Sequence, residues 1–515
     1  MIPTNKWRAG LITALCSLVA GCALPALDGR SESQAFTQAE TANTTLGQAL
    51  GSQRDAHPGL SGILTLTAAR DAFAARMLMV EAAERSLDVQ YYIWRNDITG
   101  TLLLDALLRA AERGVRVRLL LDDNGIAGLD RTLSTLDHHP NIEVRLFNPF
   151  SLRQGKMLGY LTHFSRANRR MHNKSLTVDN QATIIGGRNI GDEYFDASEG
   201  VLFADLDVLA IGPVVADTSA DFDRYWASDS SYPLELIVPR RQSAPLRLHD
   251  IAADLSNSPA ASGYVKALQD SDFIARLLDK NLSFEWSETT LVSDDPAKGL
   301  GNASDGELLI SDLAEMLDSP ASRVDLVSPY FVPTQTGVDL FTDMVRRGVE
   351  VRILTNALEA TDVTPVHAGY AKRRRDLLEG GVKLYEMRLG ADDEGHREKA
   401  GPFGSSGSSL HAKTFALDGQ RIFIGSFNFD PRSARLNTEM GFIIESPALA
   451  AAIGQAFETE IPANAYELKL DENGRIYWLE RVDGEQRRLD SEPGTNPLKS
   501  LGIRLLSWLP IEWLL

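Results

Sequence analysis

At 515 residues the chain exceeds the size at which a single hydrophobic core usually stops growing, so two domains are expected. Its 43% hydrophobic and 24% charged residues exclude a disordered chain. A net charge of −18 argues against a nucleic-acid partner unless a local basic groove overrides it.

In chain order, Lys6 and Arg8 precede an apolar stretch, residues 9–20, which is too short for a spanning helix and reads as an export signal. Leu18-Val19-Ala20-Gly21-Cys22 resembles a bacterial lipobox, so residues 1–22 are expected to be a signal peptide with its lipobox, cleaved before a lipid-bearing Cys22, the alternative being an uncleaved anchor or an ordinary signal. Cys16, the other cysteine, would leave with that peptide, so neither a disulfide nor a cysteine metal site is expected. Residues 23–62 are polar, without periodicity, and read as a linker. Helical spacing then marks residues 69–83, a strand 87–94, a helix 100–113 closed by Gly114, and strands 115–121 and 142–147. The same order returns as a helix 308–317, a strand 324–327, a helix 337–347 closed by Gly348, and strands 349–354 and 382–385. Strands alternating with helices predict an α/β (α+β) fold. The repeat predicts two duplicated domains, 63–260 and 306–465, joined by a connecting region 261–305. Residues 466–515 are expected to form a hairpin about Asn473-Gly474 and an amphipathic tail, which either lies at a membrane interface or packs as core.

One phrase occurs twice. His172, Lys174, Asp179, Gly186 and Asn189 have the same spacing as His411, Lys413, Asp418, Gly425 and Asn428. Each copy reads as strand, turn and strand, which brings His, Lys and Asn toward one patch. Two such patches across a pseudo-two-fold interface make one active site suited to phosphoryl chemistry without a metal or other cofactor. One histidine can attack phosphorus, while the other protonates the leaving alcohol and then deprotonates the acceptor. Lys174, Lys413, Asn189 and Asn428 would hold the non-bridging oxygens, with Arg188 and Ser426 as further substrate-binding candidates. Asp205 and Glu439, at matched positions after the two motifs, are the candidate acids that orient the imidazoles. The basic clusters Arg166, Arg169, Arg170 and Lys372 to Arg375 either meet lipid headgroups or are solvated faces. Tyr91, Tyr92 and Tyr330, at strand ends, either line the pocket or, as the first expectation, belong to the aromatic core.

The doubled His-x-Lys-x4-Asp and Gly-Gly/Ser-x-Asn pattern resembles the phospholipase D superfamily. The stretches 87–94, 186–192 and 428–439 are similar to its cardiolipin synthase branch, and 293–298, 367–370 and 512–515 to one subgroup of it. The resemblance implies two phospholipase D-like domains, each a mixed sheet flanked by helices, packed pseudo-two-fold around one active site. It further implies a covalent phosphatidyl-histidine, with His172 as nucleophile and His411 as acid and base, and a supporting place for Asp179 and Asp418. The implied reaction makes cardiolipin from phosphatidylglycerol and a second phospholipid, phosphatidylethanolamine or phosphatidylglycerol, at a phospholipid membrane; no motif specifies an accessory protein. A hydrolase or nuclease that passes the intermediate to water, and a non-catalytic lipid-binding lipoprotein, are the competing readings. The lipobox implies a lipid-anchored protein of the bacterial cell envelope, facing the periplasm or exterior.

Overall fold

The computed structural model describes residues 24–153, 155–156, 159–160, 163–197, 203–239, 247–269, 274, 282–318, 320–389, 409–482, 484–495 and 512–515. Cys22 with its lipobox, and residues 496–511 of the tail, lie outside the described residues. Among the described residues no helix is long and apolar enough to cross a membrane.

The first half contains β1 (Ser61–Leu66), β2 (Ser86–Ile93), β3 (Arg116–Gly125), β4 (Ile142–Phe147), β5 (Ser175–Val178), β6 (Ala182–Gly186), β7 (Phe203–Ala204), β8 (Asp207–Ile211), β9 (Ser231–Pro233) and β10 (Glu285–Ser287). The second contains β11 (Thr289–Ser293), β12 (Arg323–Val327), β13 (Glu350–Asn356), β14 (Lys383–Met387), β15 (Ser409–Leu410), β16 (Thr414–Leu417), β17 (Arg421–Gly425), β18 (Met440–Glu445), β19 (Ala465–Leu470), β20 (Ile476–Val482) and β21 (Glu485–Leu489). One sheet runs β10-β1-β8-β6-β5-β2-β3-β4-β9, the other β11-β18-β17-β16-β12-β13-β14-β19-β20-β21. From β1 to β9 and from β11 to β19 the two orders correspond strand for strand, which is the expected duplication, and β20 and β21 then extend the second sheet. In both, three parallel strands adjoin antiparallel ones.

The repeat is physical as well as topological. The helix Ile98–Glu112 starts under Asp97, whose side chain accepts from Gly100 N–H at 2.9 Å. It ends before Gly114, whose φ of 98° lies in the left-handed region. The helix Thr334–Arg346 ends in the same way before Gly348, with φ 91°. Each sheet packs its own helices over an apolar core. A third core, including Ile185 and Val208 from one sheet and Ile424 and Phe442 from the other, seals the halves together. Burying these β-branched and aromatic side chains is the main force holding the interface.

Three boundaries need correction. Residues 24–60 are not a free tether, and β1 begins inside the expected linker, at Ser61. The Phe36 ring packs against the Arg85 and Arg116 guanidinium groups, and the carbonyls of Phe36 and Gln38 accept from Asn180 and Gln181 in the β5–β6 turn. Next in the chain stands the helix Thr45–Ala56. Leu24, Leu46 and Leu50 pack at the margin of the first core, and much of the segment's remaining attachment is by hydrogen bonds, which impose no period on the sequence. The connecting region is likewise built into both sheets: β10 joins the first and β11 the second, so the second sheet starts before residue 306. Of the tail, Glu512 pairs with Lys372 and Arg373, and the Leu515 carbonyl accepts from Arg432 N–H at 2.9 Å.

Candidate active site

The hairpin of β5 and β6 turns at Asp179-Asn180, both at positive φ, and the hairpin of β16 and β17 turns at Asp418-Gly419. Asp179 accepts from the N–H groups of Glu84, Arg85 and Ser86 at 2.7–3.1 Å. Asp418 accepts from those of Ala321, Ser322 and Arg323 at 2.7–2.9 Å. Each aspartate therefore sits at the opposite end of its strand from the histidine and ties the hairpin to the neighbouring strand. Neither belongs among the reacting groups; both are supports.

The histidines precede β5 and β16, where main-chain bonds cross between the halves. His172 N–H donates to Thr438 O at 2.8 Å, and His411 N–H donates to the matched residue, Ala204 O, at 2.7 Å. β7 and β15 pair beside the second crossing. The acids are exchanged between halves. His172 Nδ1 meets Glu439 Oε2 at 2.8 Å, and His411 Nδ1 meets Asp205 Oδ2 at 2.5 Å. All four residues are at most 6% exposed. Glu439 also accepts from Ser426 Oγ at 2.6 Å and Ser433 Oγ at 2.7 Å, whereas Asp205 takes its own neighbour's Leu206 N–H at 2.8 Å. Such an acid fixes which ring nitrogen carries the proton and leaves Nε2 for chemistry.

Electrostatics follow from burial beside two lysines. Burial disfavours the charged imidazole and brings His172 down to about 4, with Glu439 opposing and Lys174 adding to the shift. His411 is lowered by burial and by Lys413. Burial also lowers Lys413 and brings Lys174 to about 7. For both acids burial favours the neutral form, but the facing histidines and lysines outweigh it and keep Glu439 and Asp205 below the ordinary carboxylate range. Lys174 Nζ donates to His172 O at 2.5 Å, and Lys413 Nζ reaches His411 Nδ1 at 2.9 Å.

Both histidines line one cavity of about 410 Å³, together with Asn189 and the aromatic walls Tyr92, Tyr194, Phe203 and Tyr330. Tyr92 and Tyr194 stand edge-on to His172 and His411 at centroid distances of 5.0 and 5.2 Å. Of the tyrosines expected in the core, only Tyr91 is there, bonded through its hydroxyl to Arg76; Tyr92 and Tyr330 face the cavity instead.

The substrate-binding candidates divide. Asn428 Oδ1 has no hydrogen-bond partner among the described residues, whereas Asn189 lines the cavity but is held by Ile93 N–H and Tyr194. Arg188 is corrected: its guanidinium turns inward to the carbonyls of Leu66, Thr67 and Asp205 at 2.7–2.8 Å. Ser426 is corrected too, because its hydroxyl is spent on Glu439. The basic clusters also find internal partners: Arg166 on Asn148 and Pro149, Arg169 on Lys298 and Arg435, Arg374 on Glu386 and Glu492. Sequence reasoning missed Ser433, Tyr194 and Phe203; Ser433 lay inside a stretch already singled out. Among the described residues no three His, Cys, Asp or Glu side chains are placed to hold a metal.

A family model described as "Cardiolipin synthase, PLD-like domain" matches residues 78–226 and again 313–461. The chain belongs to the cardiolipin synthase family. Cardiolipin synthase C of Escherichia coli (strain K12) is 52% identical over 459 residues, covering 89% of this chain and 97% of that relative. Cardiolipin synthase A of Pseudomonas entomophila (strain L48) is 26% identical over 422 residues, 81% of this chain and 72% of the relative. In fold, the chain is similar to the crystal structure of a Haemophilus influenzae Rd KW20 phosphatidylserine synthase, with a TM-score of 0.56 at 14% identity, covering 91% and 99% of the two chains. This cardiolipin synthase family chain is an enzyme, a phosphatidyltransferase of the phospholipase D superfamily, acting on phospholipids. Each of its two family-model matches contains one His-x-Lys motif and the acid that serves the other's histidine, so the exchanged acids join the two repeats into one site.

Proposed function

We propose that this enzyme makes cardiolipin by moving a phosphatidyl group from phosphatidylethanolamine or phosphatidylglycerol to the headgroup glycerol of a phosphatidylglycerol. The observation that carries the reading is the pair of histidines on one cavity, each held at Nδ1 by the other half's acid. His172, neutral above about pH 4, attacks phosphorus through Nε2, forming a P–N bond as the headgroup oxygen leaves. His411 gives that oxygen its proton, with Asp205 stabilising the imidazolium before and the neutral tautomer after. The acceptor hydroxyl then surrenders its proton to His411 and attacks phosphorus, and the P–N bond breaks to restore His172. Lys174, Lys413 and Asn428 meet the charge that builds on the non-bridging oxygens. The aromatic rings packed around both imidazoles favour an alcohol over bulk water as acceptor.

Purified protein given phosphatidylglycerol and phosphatidylethanolamine in detergent should form cardiolipin; phosphatidic acid as the sole product overturns the transfer. His172→Ala and His411→Ala should each lower turnover by about a thousandfold or more. Radiolabelled phosphatidyl trapped on the protein by rapid denaturation in dodecyl sulfate at neutral pH, which spares the acid-labile P–N bond, should disappear in His172→Ala. We also propose attachment to the cell envelope through Cys22, supported by the lipobox; palmitate that labels a Cys22→Ala variant as strongly as the parent would end that proposal.

A further inference from the structure

The connection between the halves carries a buried ion pair with no part in the chemistry above. β11 ends at Ser293, and Asp294 and Lys298 follow, 0% and 2% exposed. Asp294 Oδ2 accepts from Lys298 Nζ and from Glu439 N–H, each at 2.8 Å, while Oδ1 accepts from Leu309 N–H at 2.8 Å. Asp294 N–H returns a bond to Glu439 O at 3.0 Å. Lys298 Nζ donates at 2.8 Å to the carbonyl of Ser433, whose hydroxyl donates to Glu439 Oε1. The pair thus grips the main chain under Glu439 on both sides and the turn that supplies one of its carboxylate donors.

The first half solves the same problem with other residues. At the end of β1, the strand matched to β11, Arg188 bridges the carbonyls of Leu66, Thr67 and Asp205, and pairs with Asp207 at 3.3 Å. Phe427 stands at the position matched to Arg188 in the second motif, so that half has no such arginine. We infer that Asp294 and Lys298 are the positioning pair that sets Glu439 against His172, taking in the second half the place Arg188 holds in the first. A buried ion pair gains little net stability over apolar side chains of equal volume, and removing one partner strands the other; what the pair secures is geometry. The stretch 293–298, singled out in the sequence, thereby acquires a task.

The inference rests on the transfer reaction, so the test reads headgroup release from the donor phospholipid, which occurs whether the acceptor is alcohol or water. Failure to make cardiolipin would then count against the proposed function alone. Lys298→Met should lower kcat by about ten- to a hundredfold with KM within about twofold, since small misplacements of a catalytic group have costs of this order. In a Glu439→Gln background the same substitution should cost less than about threefold, because coupled residues lose their effect when the shared target is gone. Asp294→Asn/Lys298→Met, which leaves no lone buried charge, should behave alike and is the variant to use if Lys298→Met does not fold, as judged by circular dichroism. An unchanged kcat, a fall confined to KM, or an equal fall in both backgrounds overturns the assignment.

Discussion

At Gly187 an added Cβ would stand 2.0 Å from Asp205 Oδ1, so no side chain fits while that carboxylate faces His411. The matched Ser426 instead extends its hydroxyl to Glu439, where the acid is one methylene longer. Gly187→Ala should therefore displace Asp205 and lower kcat about a hundredfold. Ser426→Ala removes one of three partners of the Glu439 carboxylate and should cost roughly 1 kcal/mol, a fall of several-fold. Steady-state headgroup release measures both, and an active Gly187→Ala would contradict the packing. The residue scale also sets the pH response. Because His172 is lowered to about 4, the acid limb of kcat/KM should lie well below the ordinary histidine value of about 6.5. The alkaline limb should begin below that same value, where His411, lowered by burial and by Lys413, loses the proton it gives to the leaving oxygen. Stability carries a matching sign: between about 4 and 6.5 the unfolded chain holds a proton that native His172 refuses, so stability falls as pH drops through that window. Glu439 and Asp205, depressed in the native state, add stability above their unfolded values that is lost as pH falls through their folded ones. An acid limb at the ordinary histidine value would refute the buried-neutral assignment.

At the scale of elements, the strands and helices that pack a core were legible because burial imposes a period. The helix 69–83 of the sequence reading is Ala69–Ala82, and the strand expected at 142–147 is β4 itself. Residues 24–44 were illegible for the converse reason: their bonds are side chain to main chain. Arg30 reaches the carbonyls of Ala227, Ser228 and Ser231, and the buried Arg118 and Arg145 reach those of Ser33 and Ser31. A linker would be dispensable, but this segment caps buried donors of β3, β4 and the first motif's turn. Deleting residues 24–44 should destabilise the protein by about 3 kcal/mol or more, since each buried polar group left unpaired costs about 1–3 kcal/mol. The midpoint of urea unfolding reports it, and an unshifted midpoint would restore the linker reading.

For the whole molecule, the exchange of acids means that each half holds a histidine whose partner the other half supplies. Each half alone would also expose its share of the core between the sheets. Halves divided within the connection and purified separately should show no headgroup release, and recombining them should restore it only as the heterodimer forms, as followed by light scattering. Activity in either half alone would break the one-site scheme. The sequence by itself determined the duplication and singled out the paired histidines, lysines and acids, because periodicity and repeated spacing are linear properties of a chain. Only the tertiary structure decided which acid serves which histidine, that Arg188 and Ser426 face inward to those acids, and that Asp294 with Lys298 stands behind Glu439. The acid–histidine pairings join residues 267 and 206 positions apart, and Asp294 meets Glu439 across 145, so they depend on how two sheets meet rather than on any pattern along the chain.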